Sequence, residues 1–548
     1  MKHNIILLLC LGTILLFTAC DKGGKTGLLI PADAAFVLHA DLSSLSSKLS
    51  WQEIQQTSWY AEVQKQAGDS LAKQLLASPS SSGLDTDGSL ALFLKRSGNN
   101  GYLALQGKLK NAEQFVSTLT AAGNNRISIE KDGNFNYARM DGNDDATIYF
   151  NDKIFVFVAD ASETKTTGKG LPQLQGGAEK YPLDSLRHFA KNIFGLKGKK
   201  LLDTDKRFAG LVSDKADFHY WMNSGYLYGG MLSGPMAMMK IGDVLAGNIS
   251  SGKANFENGK IVVSGTQYYN RLLADLFKNH AGKQVGNELL SKLPNENVLA
   301  AFAMNYNPGG IKEMLKLLGM DGMANAAMAQ LGYSIDEFVK ANAGELAFAI
   351  TGYAVTRNMD TLNLENGQTI TYENQKPELK FVFGTAINDA QAFQKLVDVV
   401  GKNFKDKITI PADASKQLVH KTVGKWFAFG TDGDVNAFFS GNKKPAYSNS
   451  FSGHNGGGYL DLQKILTTMA ANNQDTAYKK MFDTSASFWK NMHMHWDVKD
   501  GTATSYIEVN VADAQTNALK QLNRYFDQLY LAMPETDQNE IEMKTIGL

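Results

Sequence analysis

The chain has 548 residues, with 55 Lys plus Arg against 55 Asp plus Glu, so it carries no basic excess with which to hold nucleic acid. Hydrophobic residues at 43% and charged residues at 20% exclude wholesale disorder, and the length suits two to four domains of roughly 150 residues each. Both cysteines, Cys10 and Cys20, lie near the N-terminus, which excludes disulfides, thiolate zinc sites and a cysteine nucleophile from the rest of the chain.

Lys2 and His3 precede an apolar run over residues 5–17, which ends at Phe17-Thr18-Ala19-Cys20. That run is too short for a membrane-spanning helix, which needs about 20 residues, but it suits a secretory leader. Cys after a small residue resembles a bacterial lipobox, so residues 1–19 are expected to be a signal peptide. Cys20 then becomes the acylated (palmitate-bearing) N-terminus. Residues 20–27 read as a flexible tether, because Gly and short polar residues cannot build a packed element. Several acyl chains would hold the body at a membrane. The most apolar later segment, residues 226–246, is interrupted by Gly229-Gly230, Pro235, Lys240 and Asp243. The expected location is the cell envelope, with the membrane face left open.

The body reads as a repeat. Ile30-Pro31-Ala32-Asp33 opens an apolar strand at residues 36–38, and Leu293-Pro294-Asn295-Glu296 opens another at 298–302. The strand at 88–94 matches 344–350, and 102–107 matches 379–384. Each of these latter runs leads to a helix with a related core, 111–115 and 388–393. Aromatic hairpins are expected at 148–150 with 154–158, and at 426–429 with 435–439. A second pair of matches joins 217–227 to 456–466. Hairpins at 254–263 and 495–509 follow, with turns Asn258-Gly259 and Asp500-Gly501 of the pair type that type I′ geometry demands. Helices near 270–278 and 513–530 come next. The expected fold is therefore α+β, a tandem A-B-A′-B′ duplication of largely antiparallel sheets with packed helices. The first repeat spans 28–290, with sub-units about 28–175 and 176–290. The second spans 291–548, with sub-units about 291–445 and 446–548.

The lipobox, the Ile30-Pro31-Ala32-Asp33 opening, the Ser-rich stretch 43–50 and the strand at 88–94 together resemble a family of Bacteroidetes-type envelope lipoproteins known as domain of unknown function 4836. The resemblance runs from about residue 30 to about 532. It implies location and architecture, but no activity and no catalytic residues.

Individual motifs carry little chemistry. Residues 247–253 have phosphate-loop spacing, but Ala254 replaces the magnesium-binding hydroxyl and the segment leads into a strand. Asp141, Asn143, Asp145 and Asp152 match four positions of a calcium loop, although Ala146 stands where the turn needs Gly. His493 and His495 alternate on a strand and so could share a metal, given a third ligand. Ten of the nineteen methionines fall between Met222 and Met328, and Met236, Met239, Met320 and Met323 are the candidate surface for an apolar ligand or partner. Trp51, Trp59 and Tyr60 sit on one amphipathic stretch, residues 51–66, where Trp51, Ile54 and Val63 read as a core stripe at helical spacing, with glycan stacking by the aromatics as the rival reading; Tyr226 and Tyr228 are further aromatics of that kind. No cofactor is called for. The functional expectation is a lipid-anchored binding protein whose ligand is a protein, a glycan or an apolar molecule. An enzyme acting on envelope or extracellular polymers and a purely structural spacer are the competing readings. Oligomeric state is left open.

Overall fold

The run Phe36-Val37-Leu38 forms β1 (Phe36–Asp41), whose successive side chains turn to opposite faces of a sheet. The computed structural model describes residues 26–66, 77–122, 127–140, 145–162, 179–229, 239–363, 369–404, 418–441 and 443–533. The chain divides into two compact units, residues 1–270 with 513–548, and residues 271–512. This differs from the sequence ranges: 271–290 joins the second unit, and the C-terminal segment returns to the first. Among the described residues the protein is α+β, and every strand pairing within each unit is antiparallel.

In the first unit, β1 is joined by β2 (Ser89–Ser97), β3 (Asn100–Lys108), β4 (Ile127–Asp132), β5 (Phe135–Met140), β6 (Ala146–Phe150), β7 (Ile154–Asp160), β8 (Phe218–Asn223), β9 (Ile249–Glu257) and β10 (Lys260–Tyr268). Their spatial order is β10-β9-β8-β1-β2-β3-β7-β6-β5-β4. Both faces are covered, so the central strands are apolar on both sides. Leu90, Leu105, Phe155 and Phe157 pack with Phe115 and Leu119 of α1 (Ala112–Ala122). On the other face, Val37, Ala91, Phe93 and Val156 pack with Leu186, Ala190 and Ile193 of α2 (Leu183–Phe194). Each fully buried Leu or Phe contributes about 1.5–3 kcal/mol.

The C-terminal helix Ala518–Ala532 belongs to this unit. Leu519 packs beside Leu49, Ile54 and Tyr60, Lys520 pairs with Glu53 at 2.9 Å, and Asp527 Oδ1 accepts from the Ser58 N–H at 2.5 Å. Trp51, Ile54 and Val63 do share this cluster, joined by Trp59, although the stretch is broken into two helices, Trp51–Gln55 and Ser58–Gln66.

The second unit contains β11 (Ala300–Asn305), β12 (Asn342–Asn363), β13 (Thr369–Ile387), β14 (Leu418–Val423), β15 (Trp426–Thr431), β16 (Gly456–Leu460), β17 (Trp489–Lys499) and β18 (Thr502–Val511). Their order is β18-β17-β16-β11-β12-β13-β15-β14. Substituting first-unit strands in chain order reproduces the β10-β9-β8-β1-β2-β3-β7-β6 run of the other sheet; β4 and β5 are extra. Linking bonds also correspond. Asp41 N–H donates to Asp217 O at 3.0 Å, and Asn305 N–H to Asn455 O at 2.9 Å. Asp217 Oδ2 accepts from Phe256 N–H at 2.6 Å, and Asn455 Oδ1 from Val498 N–H at 2.7 Å. One face packs small residues, Ala301, Ala303, Ala347 and Ala349, against Leu289, Phe438 and Phe451. α3 (Ala390–Phe404) covers only part of the other face, through Phe393 against Phe427.

Two sequence readings are corrected. Residues 435–439 are helical, within Asp432–Phe439, so the partner of β15 is β14 instead. The apolar spacing of Val435 and Phe438, both buried, is that of a helix, and Asp432 and Asp434 favour its first turn. Of the two hairpin turns, Asp500 and Gly501 take positive φ of 50° and 77°, as type I′ requires, whereas Gly259 alone does so in the other.

Candidate functional site

The residues singled out from sequence lie apart. Cys20, Asp141, Asn143 and Met236 fall outside the described residues. Asp145 is paired with Lys180 at 2.8 Å, and Asp152 is exposed in the β6–β7 turn. Among the described residues no group of three His, Cys, Asp or Glu could hold a metal ion. His493 and His495 share one face of β17, but each is taken up separately. His493 Nδ1 is 3.0 Å from Ser450 Oγ. His495 is stacked between His454, at 3.8 Å, and Tyr506, at 5.1 Å. Burial lowers the pKa of both, with the neighbouring His454 adding to the effect at His495. Met239 is half-buried in the first unit; Met320 and Met323 stand in the second, where Met323 is 53% exposed. Residues 249–257 form β9, so the phosphate-loop spacing leads into a strand.

The second unit contains a cleft that the sequence reading did not single out. β12 and β13 are 22 and 19 residues long, but β11 pairs only with residues 345–350 of β12 and β15 only with 382–386 of β13. The remainder extends past the sheet as a two-stranded ribbon. Alternation places Tyr353, Val355 and Arg357 on one ribbon face, with Gln375 directly opposite Arg357. Facing them are the end of α4 (Leu462–Asn472), the turn Asn473-Gln474-Asp475, and α5 (Thr476–Phe488). Met469, Asn472, Asn473, Gln474, Asp475 and Phe482 complete the wall of a cleft of about 340 Å³.

The wall is held by bonds that the helix end itself requires. The last carbonyls of a helix lack intrahelical partners and carry partial negative charge. Arg357 Nη2 donates to the Asn472 carbonyl. The Asn472 side chain accepts from Val355 N–H at 2.8 Å and donates to Thr468 O at 2.8 Å, fastening α4 to the ribbon. Arg357 Nε forms an ion pair with Glu373 Oε1 at 3.3 Å without hydrogen-bond alignment, and that oxygen accepts from Gln375 Nε2 at 3.0 Å and Gln474 Nε2 at 3.2 Å. Asp475 Oδ1 caps α5, accepting from Ala477 N–H at 2.8 Å.

Arg357 and Glu373 thus offset one another, while Asp475 is turned to the N-terminus of α5. The amides of Gln375, Asn472, Asn473 and Gln474 take part in bonds of this wall, and what they keep for a ligand is the second donor or lone pair of each, beside the rings of Tyr353 and Phe482. Tyr353 is 38% exposed. Such a lining suits a neutral ligand whose groups both donate and accept, and the volume falls in the small-molecule range. The sequence signal was present but faint: a polar, Thr- and Tyr-containing tract over 351–378 between two recognised strands, and an Asn-Asn-Gln-Asp turn before a helix. Comparison with family models, curated proteins and solved structures finds no match for the chain.

Proposed function

We propose that the chain is a lipid-anchored cell-envelope protein whose second unit binds a hydroxyl-rich ligand, a glycan, in the cleft between the β12–β13 ribbon and the α4–α5 turn. The observation that carries this reading is the lining: amides of Gln375, Asn473 and Gln474 beside the Arg357–Glu373 pair, with the Tyr353 ring exposed at the side. Sugar hydroxyls need partners that both donate and accept, and a sugar ring presents an apolar face to an aromatic one. Binding is favoured over hydrolysis because a glycosidase needs a pair of carboxylates about the scissile bond. Here Glu373 and Asp475 are committed to Arg357 and to a helix N-terminus.

The leader and Cys20 support the anchored location, and the matching strand orders and linking bonds of the two units support an origin by tandem duplication. A glycan array probed with the mature protein tests the binding reading. Selective retention, lost in Tyr353→Ala/Gln474→Ala with unchanged circular dichroism, is expected; equal retention by the variant would remove the cleft from the account.

A further inference from the structure

One row of side chains runs across corresponding strands of both sheets and differs between them. In the first unit, pairing aligns Leu38, Leu92, Leu105 and Phe157 across β1, β2, β3 and β7. Leu105 and Phe157 lie within the core that Phe115 and Leu119 of α1 complete. By strand register, which shifts the sequence match of 102–107 with 379–384 by one residue, the equivalent positions of the second unit hold Phe302, Phe348, Phe383 and Phe429 across β11, β12, β13 and β15. Three leucines are replaced by phenylalanines, yet all four rings remain partly exposed, Phe429 at 36%. Leu38 and Leu92 are partly exposed like Phe302 and Phe348, but Leu105 and Phe157 are buried whereas Phe383 is partly exposed and Phe429 exposed. The second-unit row is a partly exposed apolar strip, about 14 Å across at sheet spacing, with Phe302 stacked on Trp496 at 5.5 Å.

The strip is continuous with the cleft. Along β13, Phe383, Phe381 and Leu379 point to one face, about 13 Å from first to last. Leu379 pairs with Tyr353 of the cleft wall and is 47% exposed. The Phe381 ring lies 6.2 Å from that of Phe348 and 5.8 Å from that of Phe429, joining the row to this line. The rings of the strip could stack on a sugar face, but phenylalanine offers no donor or acceptor for a run of sugar hydroxyls, so the strip fits a hydrocarbon chain better than a longer glycan.

Resting on the glycan reading of the cleft, we propose that the ligand is an amphiphile of the glycolipid type. Its sugar head occupies the cleft, and its hydrocarbon chain lies along Phe381, Phe383, Phe348 and Phe302. Binding removes chain methylenes and ring faces from water together, so affinity depends on chain length, whereas the cleft sets the choice of head group.

Titration calorimetry of the mature protein with alkyl glycosides of one head group and increasing chain length, all below their micellar concentrations, tests this. Affinity is expected to tighten about fourfold per added methylene while the strip fills. Phe348→Ser/Phe429→Ser should flatten that dependence, and Tyr353→Ala/Gln474→Ala should weaken every chain length by one common factor. The unmodified protein supplies the decisive series even if the row variant folds poorly. Sugar binding without chain-length dependence would overturn the amphiphile proposal and leave the cleft reading standing. Chain-length dependence indifferent to both head group and the cleft variant would overturn both. A row variant that dissolves a dimer without changing glycoside affinity would assign the strip to a second copy and overturn the proposal.

Discussion

His39 makes the stability of the first unit depend on pH. It stands opposite His219 in the β1–β8 register, with the two Nδ1 atoms 3.1 Å apart. His219 Nε2 lies 2.7 Å from the Asp214 carbonyl and must donate to it, which leaves His219 Nδ1 as the acceptor of a proton held by His39 Nδ1. His39 Nε2 is then an unprotonated nitrogen, buried without a hydrogen-bond partner. Burial, with the neighbouring His219 second, pulls the His39 pKa down from 6.5 to about 3, and burial lowers His219 as well. Asp214 and Asp41 raise the His219 value against that trend, and Lys253 lowers it.

A depressed folded-state pKa means that the unfolded chain takes up the proton first, so stability falls as pH drops through 6.5 and continues falling toward 3. Between pH 7.5 and 5.0 the His39 contribution is about 2 kcal/mol; because pH 5.0 lies well above the folded-state value, one unit of change in that value hardly alters the figure. Urea denaturation of the wild type and of His39→Asn at both pH values measures it, since groups titrating alike in both proteins cancel. The transition displaced by the substitution should lose about 2 kcal/mol less on acidification in the variant. Equal pH dependence in the two proteins would refute the neutral buried pair.

Three further outcomes follow from the same geometry. Asp527→Ala removes the acceptor for the Ser58 N–H at the start of the helix Ser58–Gln66, and should cost the first unit about 0.5–2 kcal/mol in denaturation without moving the second. Gly457→Ala would place a Cβ 2.1 Å from Phe451 Cβ and 2.4 Å from the Met494 carbonyl, so it should destabilise the second unit by at least about 1–3 kcal/mol; an unchanged melting temperature would contradict that packing. Cys20→Ser should release the protein from the membrane fraction and abolish incorporation of labelled palmitate, whereas retention of both would exclude the proposed anchor.

Much of the strand framework was legible because its signals are local. Apolar runs after Pro31 and Pro294 became β1 and β11, and Asp500-Gly501 formed the turn its conformational preferences dictate. Residues 435–439 misled because a short aromatic run suits strand and helix alike; burial of Val435 and Phe438 decides for the helix. Helicity of the C-terminal segment was readable, but its destination was not. Its contacts with Glu53 and Ser58 span more than 460 residues of sequence. The cleft was hidden for the same reason: Arg357 gains its role from Asn472, 115 residues away, and from a ribbon whose polar tract lacks the alternation that marks a half-buried strand.

The most direct test of glycan binding in the second unit is differential hydrogen–deuterium exchange of the mature protein with a glycan selected by the array. Protection confined to residues 353–357, 375 and 472–482 is the predicted result. Protection that bypasses those segments and falls in the first unit would contradict it.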